Sequence, residues 1–220
     1  MRAAILASLL ILPTLAVAAS PSIVERADGL EYRSSDGKTM VFAAGATFRG
    51  AVLSPDGRTV AYVRVLKPQT PERDGEAELW IADGPTGIER RLVRSQPSSN
   101  PEHDLQWFDG PIFSADGRFV YVTAVAWGAE TAVHRVDTVS GRERFAFRGS
   151  LVSVVRNGPY RGCLLVRRHT AWPKPQTGYH YPVFVVRPNG QVVMRVPKMN
   201  RDDHLVHVSD WLSAHGWMAW

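Results

Sequence analysis

Two ten-residue stretches, LSPDGRTVAY at 53–62 and FSADGRFVYV at 113–122, share one arrangement sixty positions apart: a Ser-x-Asp-Gly turn followed at once by strand-forming residues. In the strand after the first turn, Val60 and Tyr62 point one way along the pleat and Ala61 and Val63 the other, so both faces are apolar. FVYVTAV at 119–125 behaves in the same way. A strand with one wet face alternates apolar and polar residues, whereas a strand greasy on both sides needs a neighbouring layer on each. In an antiparallel protein that need is met when small sheets stack face to face around an axis, as in a propeller. A two-sheet sandwich would show cleaner in–out alternation.

The rest of the chain is punctuated in the same style. Asp-Gly occurs at 28–29, 36–37, 56–57, 74–75, 83–84, 109–110 and 116–117, and Asn-Gly at 157–158 and 189–190. These dipeptides favour the positive φ angles of tight hairpin turns. Short β-rich runs lie between them, and helical periodicity is nearly absent before residue 200, so the chain is predicted to be all-β. The final stretch, NRDDHLVHVSDWLSAHGWMAW, differs. Asp202 or Asp203 is placed to cap a short helix with Leu205, Val208, Trp211 and Leu212 on one side and Gly216 at its end. A last β-strand is the rival reading.

The first nineteen residues read as a signal peptide: Arg2, an apolar centre at Leu9–Leu12, and the small-x-small run Ala16-Val17-Ala18. The apolar part is shorter than a spanning helix needs and Pro13 interrupts it, so an uncleaved anchor is the lesser reading. A mature chain beginning near Ala19 or Ser20, periplasmic or secreted and without a transmembrane span, is the expectation. About 200 mature residues, 45% apolar and 21% charged, make one domain over 20–220 and argue against disorder. The single cysteine, Cys163, forms no intramolecular disulfide and reads as a small buried hydrophobe. The net charge is +5, and a basic face suits anionic envelope surfaces. Nucleic acid is not expected, because the basic residues pair up only in places such as Arg90-Arg91 and Arg167-Arg168 and no nucleic-acid module is present.

LSPDGRTVAYVR and FSADGRFVYVTA resemble the WD40-like repeat of TolB-type β-propellers, in which a Ser-Pro-Asp-Gly turn joins two strands of one blade. ELWIADGPTGIERRLV (78–93) and AVHRVDTVSGRERFAF (132–147) resemble the following strand, Gly-bearing turn and strand, and YRSSDGKTMVFAA (32–44) is a degenerate third copy. The resemblance is good over 47–148. It implies a small or incomplete propeller of about three to four antiparallel blades, here placed at 47–95, 100–148 and 149–197, with an N-terminal hairpin at 30–44 and a C-terminal segment at 200–220. Six-bladed members need far more chain. Either the N-terminal strands join C-terminal residues to close a small ring, or the blades form an open arc. An open arc exposes an apolar sheet face that a partner, a second copy or a terminal helix must cover.

The sequence carries no G-x-S-x-G elbow and no Ser-Asp-His order. Related propellers precede the α/β-hydrolase domain of prolyl-oligopeptidase-type peptidases, and the expectation here is a propeller without that domain. His204 and His207, beside Asp202 and Asp203, read as polar residues of a capped helix, and His103, Asp104 and Asp109 as loop and turn residues. No metal and no cofactor are expected. The best candidate binding surface is RHTAWPKPQTGYHY at 168–181, a long connection stiffened by Pro173 and Pro175. It offers Arg168, His169, Trp172, Lys174, Tyr179, His180 and Tyr181, rigid aromatic and cationic groups that suit a protein, peptide or glycan. The alternative is that these aromatics pack back on the third blade. Trp107, with Phe108, is a second candidate.

The functional expectation is an exported, non-catalytic propeller that binds another protein or component of the cell envelope through blade loops or an exposed edge. Self-association through an open blade edge is a further possibility. The competing readings are a periplasmic inhibitor or immunity-type protein, and a propeller-based hydrolase or lyase or the accessory propeller of a prolyl-oligopeptidase-like enzyme.

Overall fold

The structure, a computed structural model, describes residues 19–70, 75–126, 130–172, 174–197 and 205–217, the side chains of 205–207 excepted. Residues 1–18, which hold nearly all of the expected signal peptide at 1–19, and Pro173, Asp202, Asp203, His204 and the imidazole of His207 lie outside the described residues.

The repeated turn is built from its own side chains. Ser54 Oγ donates to Asp56 Oδ1 at 2.5 Å and accepts from the Thr59 N–H at 2.8 Å, while Asp56 Oδ1 also accepts from the Arg58 N–H. Ser114, Asp116, Arg118 and Phe119 repeat these bonds, and Ser34 and Asp36 repeat the hydroxyl–carboxylate contact in the degenerate copy. Gly57 and Gly117 close the two turns at φ 71° and 72°, angles that a residue bearing a Cβ resists.

Hydroxyl and backbone donors at these turns hold the Asp56 and Asp116 carboxyls below the usual carboxylate range, the serine hydroxyl contributing most. Asp36 is pulled down to about 2, by Lys38 first and Ser34 second. A group whose folded pKa is depressed stabilises the fold above its unfolded value and loses that contribution as pH falls through the folded one. Stability is therefore expected to decline below about pH 4. An Asp56→Asn/Asp116→Asn variant should show a shallower decline in urea midpoints taken from pH 5 down to 2.

Four sheets follow one another along the chain. The first is β1 (Ser22–Arg26), β2 (Gly29–Arg33) and β3 (Thr39–Phe42), three antiparallel strands in sequence order. The second is β4 (Phe48–Leu53), β5 (Thr59–Lys67), β6 (Glu76–Asp83) and β7 (Glu89–Arg94), and the third is β8 (Phe108–Phe113), β9 (Phe119–Ala126), β10 (Glu130–Asp137) and β11 (Glu143–Arg148). The fourth is β12 (Ser150–Val154), β13 (Leu164–Arg167), β16 (Val183–Val186) and β17 (Val192–Arg195), with β14 (Thr170–Ala171) and β15 (Tyr179–His180) inserted between β13 and β16. Among the described residues one helix, α1 (Leu205–Ala214), follows the fourth sheet.

These sheets stack face to face, and the two-sided strands are what join them. Val60 and Tyr62 of β5 face Leu30, Tyr32 and Phe42 of the first sheet, while Ala61 and Val63 face Phe108, Val120 and Val122 of the third. Tyr121 and Val133 then face Leu164, Val166 and Val186 of the fourth sheet. The first strands of successive sheets, β1, β4, β8 and β12, are neighbours in that order, as the inner strands of a propeller are. The architecture is an incomplete β-propeller.

Among the described residues the ring does not close by strand exchange: β1–β3 form a sheet of their own, and no sheet mixes N-terminal with C-terminal strands. The two ends of the described arc differ. The outward face of β1–β3 carries Arg26 and Arg33, which flank Glu31 at 3.4 and 2.6 Å, beside the exposed Val41. At the other end, Val208, Trp211 and Leu212 of α1 lie on Cys163, Leu165, Val183 and Val185, the far face of the fourth sheet. Of the two C-terminal readings the helix is the one formed. It stops in a Schellman arrangement, with the Trp217 N–H bonded to Leu212 O, the Gly216 N–H to Ser213 O, and Gly216 at φ 65°. No helix among the described residues is long and apolar enough to cross a membrane.

Candidate functional site

Antiparallel connectivity gives the arc two rims. One holds the short turns β4–β5, β8–β9, β10–β11 and β16–β17. The opposite rim carries the β13–β16 connection, residues 168–182, which is no simple loop. The Arg168 N–H donates to Pro182 O at 3.0 Å, pairing resumes at Thr170↔His180 and Ala171↔Tyr179, and the Trp172 N–H donates to Gly178 O at 3.1 Å. The segment is a two-stranded arm continuing the fourth sheet beyond its rim.

Directly paired residues share a face, so the arm has two sides. On one, the His169 ring lies 4.0 Å from that of Tyr179 and 5.3 Å from that of Tyr181, and the Arg167 guanidinium stands 5.8 Å from Tyr181. On the other, Trp172 stacks on His180 at 4.1 Å and 14°. Tyr179 and Tyr181 remain 61% and 48% exposed, and Lys174 is exposed near the tip. The side chains hold each other in place and present ring faces to solvent. Arg168 is different: its guanidinium stands 5.7 Å from Phe147 and 6.0 Å from Phe184, a packing post at the base of the arm.

Trp107 is not brought to the arm. Arg49 stacks over its ring at 3.9 Å, and it packs into the seam between the second and third sheets, where Phe108 is fully buried. The loop residues serve the loop. Asp104 Oδ1 accepts from the Gln106 N–H and Asp109 Oδ1 from the Gly110 N–H. Cys163 is buried beneath α1, and burial pushes its thiol pKa up, away from the reactive thiolate. Among the described residues no three His, Cys, Asp or Glu side chains converge as a metal site would require.

One feature of the surface escapes a reading by motifs. From Arg144 to Arg201 the sequence holds eleven Lys and Arg residues and no Asp or Glu. The fourth sheet and its arm are therefore cationic throughout. Among the described residues, Arg144, Arg156, Arg161, Arg167, Arg168 and Arg187 have no carboxylate within ion-pair distance. The signal was the missing acids, not the presence of basic pairs.

No family model matches the sequence, and no curated protein matches it. Solved structures do. The chain superposes on dipeptidyl peptidase 4 from Porphyromonas gingivalis with a TM-score of 0.57 at 11% identity, over 83% of this chain and 31% of that one. It matches the β-propeller domain of the trilobed protease from Pyrococcus furiosus, described as having an open velcro topology, with a TM-score of 0.53 at 16% identity, over 77% of this chain and 49% of that one. TolB from Acinetobacter baumannii aligns at a TM-score of 0.49 and 15% identity, over 83% and 42%. The chain spans about half or less of the length of these structures. At such identities the first two establish the fold class alone: this is a β-propeller arc.

Proposed function

We propose that this chain is an exported, non-catalytic propeller arc that binds another protein of the cell envelope through the β14–β15 arm. The observation that carries the reading is the arm itself. Tyr179 and Tyr181 stand exposed while stacked against His169, so they offer aromatic area whose rotamers are already fixed, the kind of residue that dominates binding energy at protein interfaces. The signal-peptide pattern at 1–19, read from the sequence, supports export. The helix over the far face of the fourth sheet favours the arm over that sheet face as the contact.

The test is capture from envelope extract on immobilised protein. Wild type is expected to retain one partner in stoichiometric amount, and Tyr179→Ala/Tyr181→Ala to weaken it at least about thirtyfold, the loss of one interface hot spot or more. The thermal midpoint should move little, because both side chains are exposed. Retention of the partner by the double variant at wild-type affinity would remove the arm from the interface. Turnover of a substrate by the pure protein would overturn the non-catalytic reading.

A further inference from the structure

The rim opposite the arm carries two adjoining clefts, one on the third sheet alone and one between the third and fourth sheets. One, of about 240 Å³, is lined by Arg118, Arg135, Arg142, Arg144, Asp137 and Phe119 among others. The second, of about 300 Å³, is lined by Phe119, Tyr121, Ala115, Pro188, Arg161 and Asp116 among others. Phe119 is the wall they share.

Five guanidinium groups meet two carboxylates here, and both carboxylates are committed. Asp137 accepts from the Val139 and Ser140 N–H groups and the Ser140 hydroxyl, and Asp116 from Ser114 and the Arg118 N–H. Arg118 spends part of its charge on Asp137 at 3.8 Å. Arg135 lies 4.6 Å from the Phe119 ring and reaches Pro188 O at 3.5 Å. Arg142, Arg144 and Arg161 have no carboxylate partner among the described residues.

A second observation is independent of the charge. Tyr121, a lining residue of the larger cleft, is fully buried, and its hydroxyl finds no hydrogen-bond partner. A buried hydroxyl without a partner is costly, and a polar group on a ligand filling the cleft would satisfy it. Burial raises its pKa to about 12, so the hydroxyl stays protonated and able to donate. Ala61 occupies the matching position sixty residues earlier, so the tyrosine is not part of the repeated pattern.

We propose that these clefts form one site for an oxyanion carried on a ring: a phosphoryl or sulfuryl group among Arg118, Arg142 and Arg144, and a sugar or aromatic ring between Phe119, Pro188 and Tyr121, with Arg161 at its margin. Guanidinium pairs match the geometry of such oxyanions, and the apolar wall of Phe119 and Pro188 should favour a ring-bearing anion over a bare one. The same chemistry reaches the site either as a free small molecule or as a phosphorylated envelope lipid headgroup.

Phenyl phosphate, inorganic phosphate and phenol, titrated by calorimetry at low salt, decide the first point. Phenyl phosphate is expected to bind more tightly than either of the others and to weaken as salt rises. Arg142→Gln/Arg144→Gln should lower its affinity at least about tenfold, as loss of charge-assisted hydrogen bonds does. Tyr121→Phe should lower affinity severalfold without lowering the unfolding midpoint, because the hydroxyl removed is unpartnered; a merely structural tyrosine would show the reverse. Vesicles of phosphatidylglycerol, set against phosphatidylcholine, separate the sources. Binding that phenyl phosphate competes away and Arg142→Gln/Arg144→Gln abolishes assigns the headgroup, and binding of phenyl phosphate alone assigns the free molecule. Equal affinity for phenyl and inorganic phosphate, no loss in the arginine variant, or binding of an oligo-glutamate peptide where phenyl phosphate fails would each overturn the site.

Discussion

Trp211→Ala is expected to lower folding stability by about 3–5 kcal/mol, the range for truncating a buried large aromatic, and to make the protein associate. The indole is 7% exposed and lies at the centre of the helix cover over Cys163, Leu165, Val183 and Val185. It also holds Trp217 at 5.2 Å and His215 at 4.9 Å, so its removal loosens the helix end as well. A loosened α1 bares a contiguous apolar sheet face, and such faces drive association. The measurements are a urea midpoint and a solution mass over a concentration series. A variant that keeps its midpoint within a few tenths of a molar and stays monomeric would mean the helix is not what closes that end.

The second large effect belongs to the interior of the stack. Phe108 is fully buried between the second and third sheets, packed with Ala61, Val63, Leu79, Val120 and Val122. Phe108→Ala is expected to cost about 3–5 kcal/mol as well, but without association, since it leaves a cavity instead of an uncovered face. The seam it occupies is separated from the helix seam by the whole fourth-sheet interface of Tyr121, Val154 and Leu164. Residues that share no partners act additively, within about 0.5 kcal/mol. The Phe108→Ala/Trp211→Ala double variant should therefore lose the sum of the two single losses, if it folds well enough to be measured. A clear excess or deficit would show that the layers communicate along the arc.

The two-sided strands were legible in the sequence because β5 and β9 alternate apolar with apolar, and no other packing serves Val60 and Ala61 at once. The C-terminal helix was legible from the spacing of Val208, Trp211 and Leu212 with Gly216 behind them. β1 was not, since SIVER is a half-solvated edge strand in which only Ile23 and Val24 carry an apolar signal. Within the arm, strands of two residues are too short to announce themselves, so a paired ribbon reads as a connection. Arg168 and Trp107 show the limit of composition as a guide to surface. An arginine stem and an indole serve a seam as well as a binding face, and only the neighbours Phe147, Phe184 and Arg49 decide which. The clefts of the proposed oxyanion site were not legible, because Arg118 meets Arg142 and Arg144 only once the third sheet has formed, and Tyr121 meets Arg161 only when the third and fourth sheets stack.

The unlike outer layers of the described arc bear on how a repeat could be added. The first turns Arg26, Glu31 and Arg33 outward beside the exposed Val41, and the last is roofed by a helix. A unit greasy on both sides finds its own kind on each side only between existing layers. An engineered extra repeat is therefore expected to be accepted in the middle of the arc and refused at the roofed end.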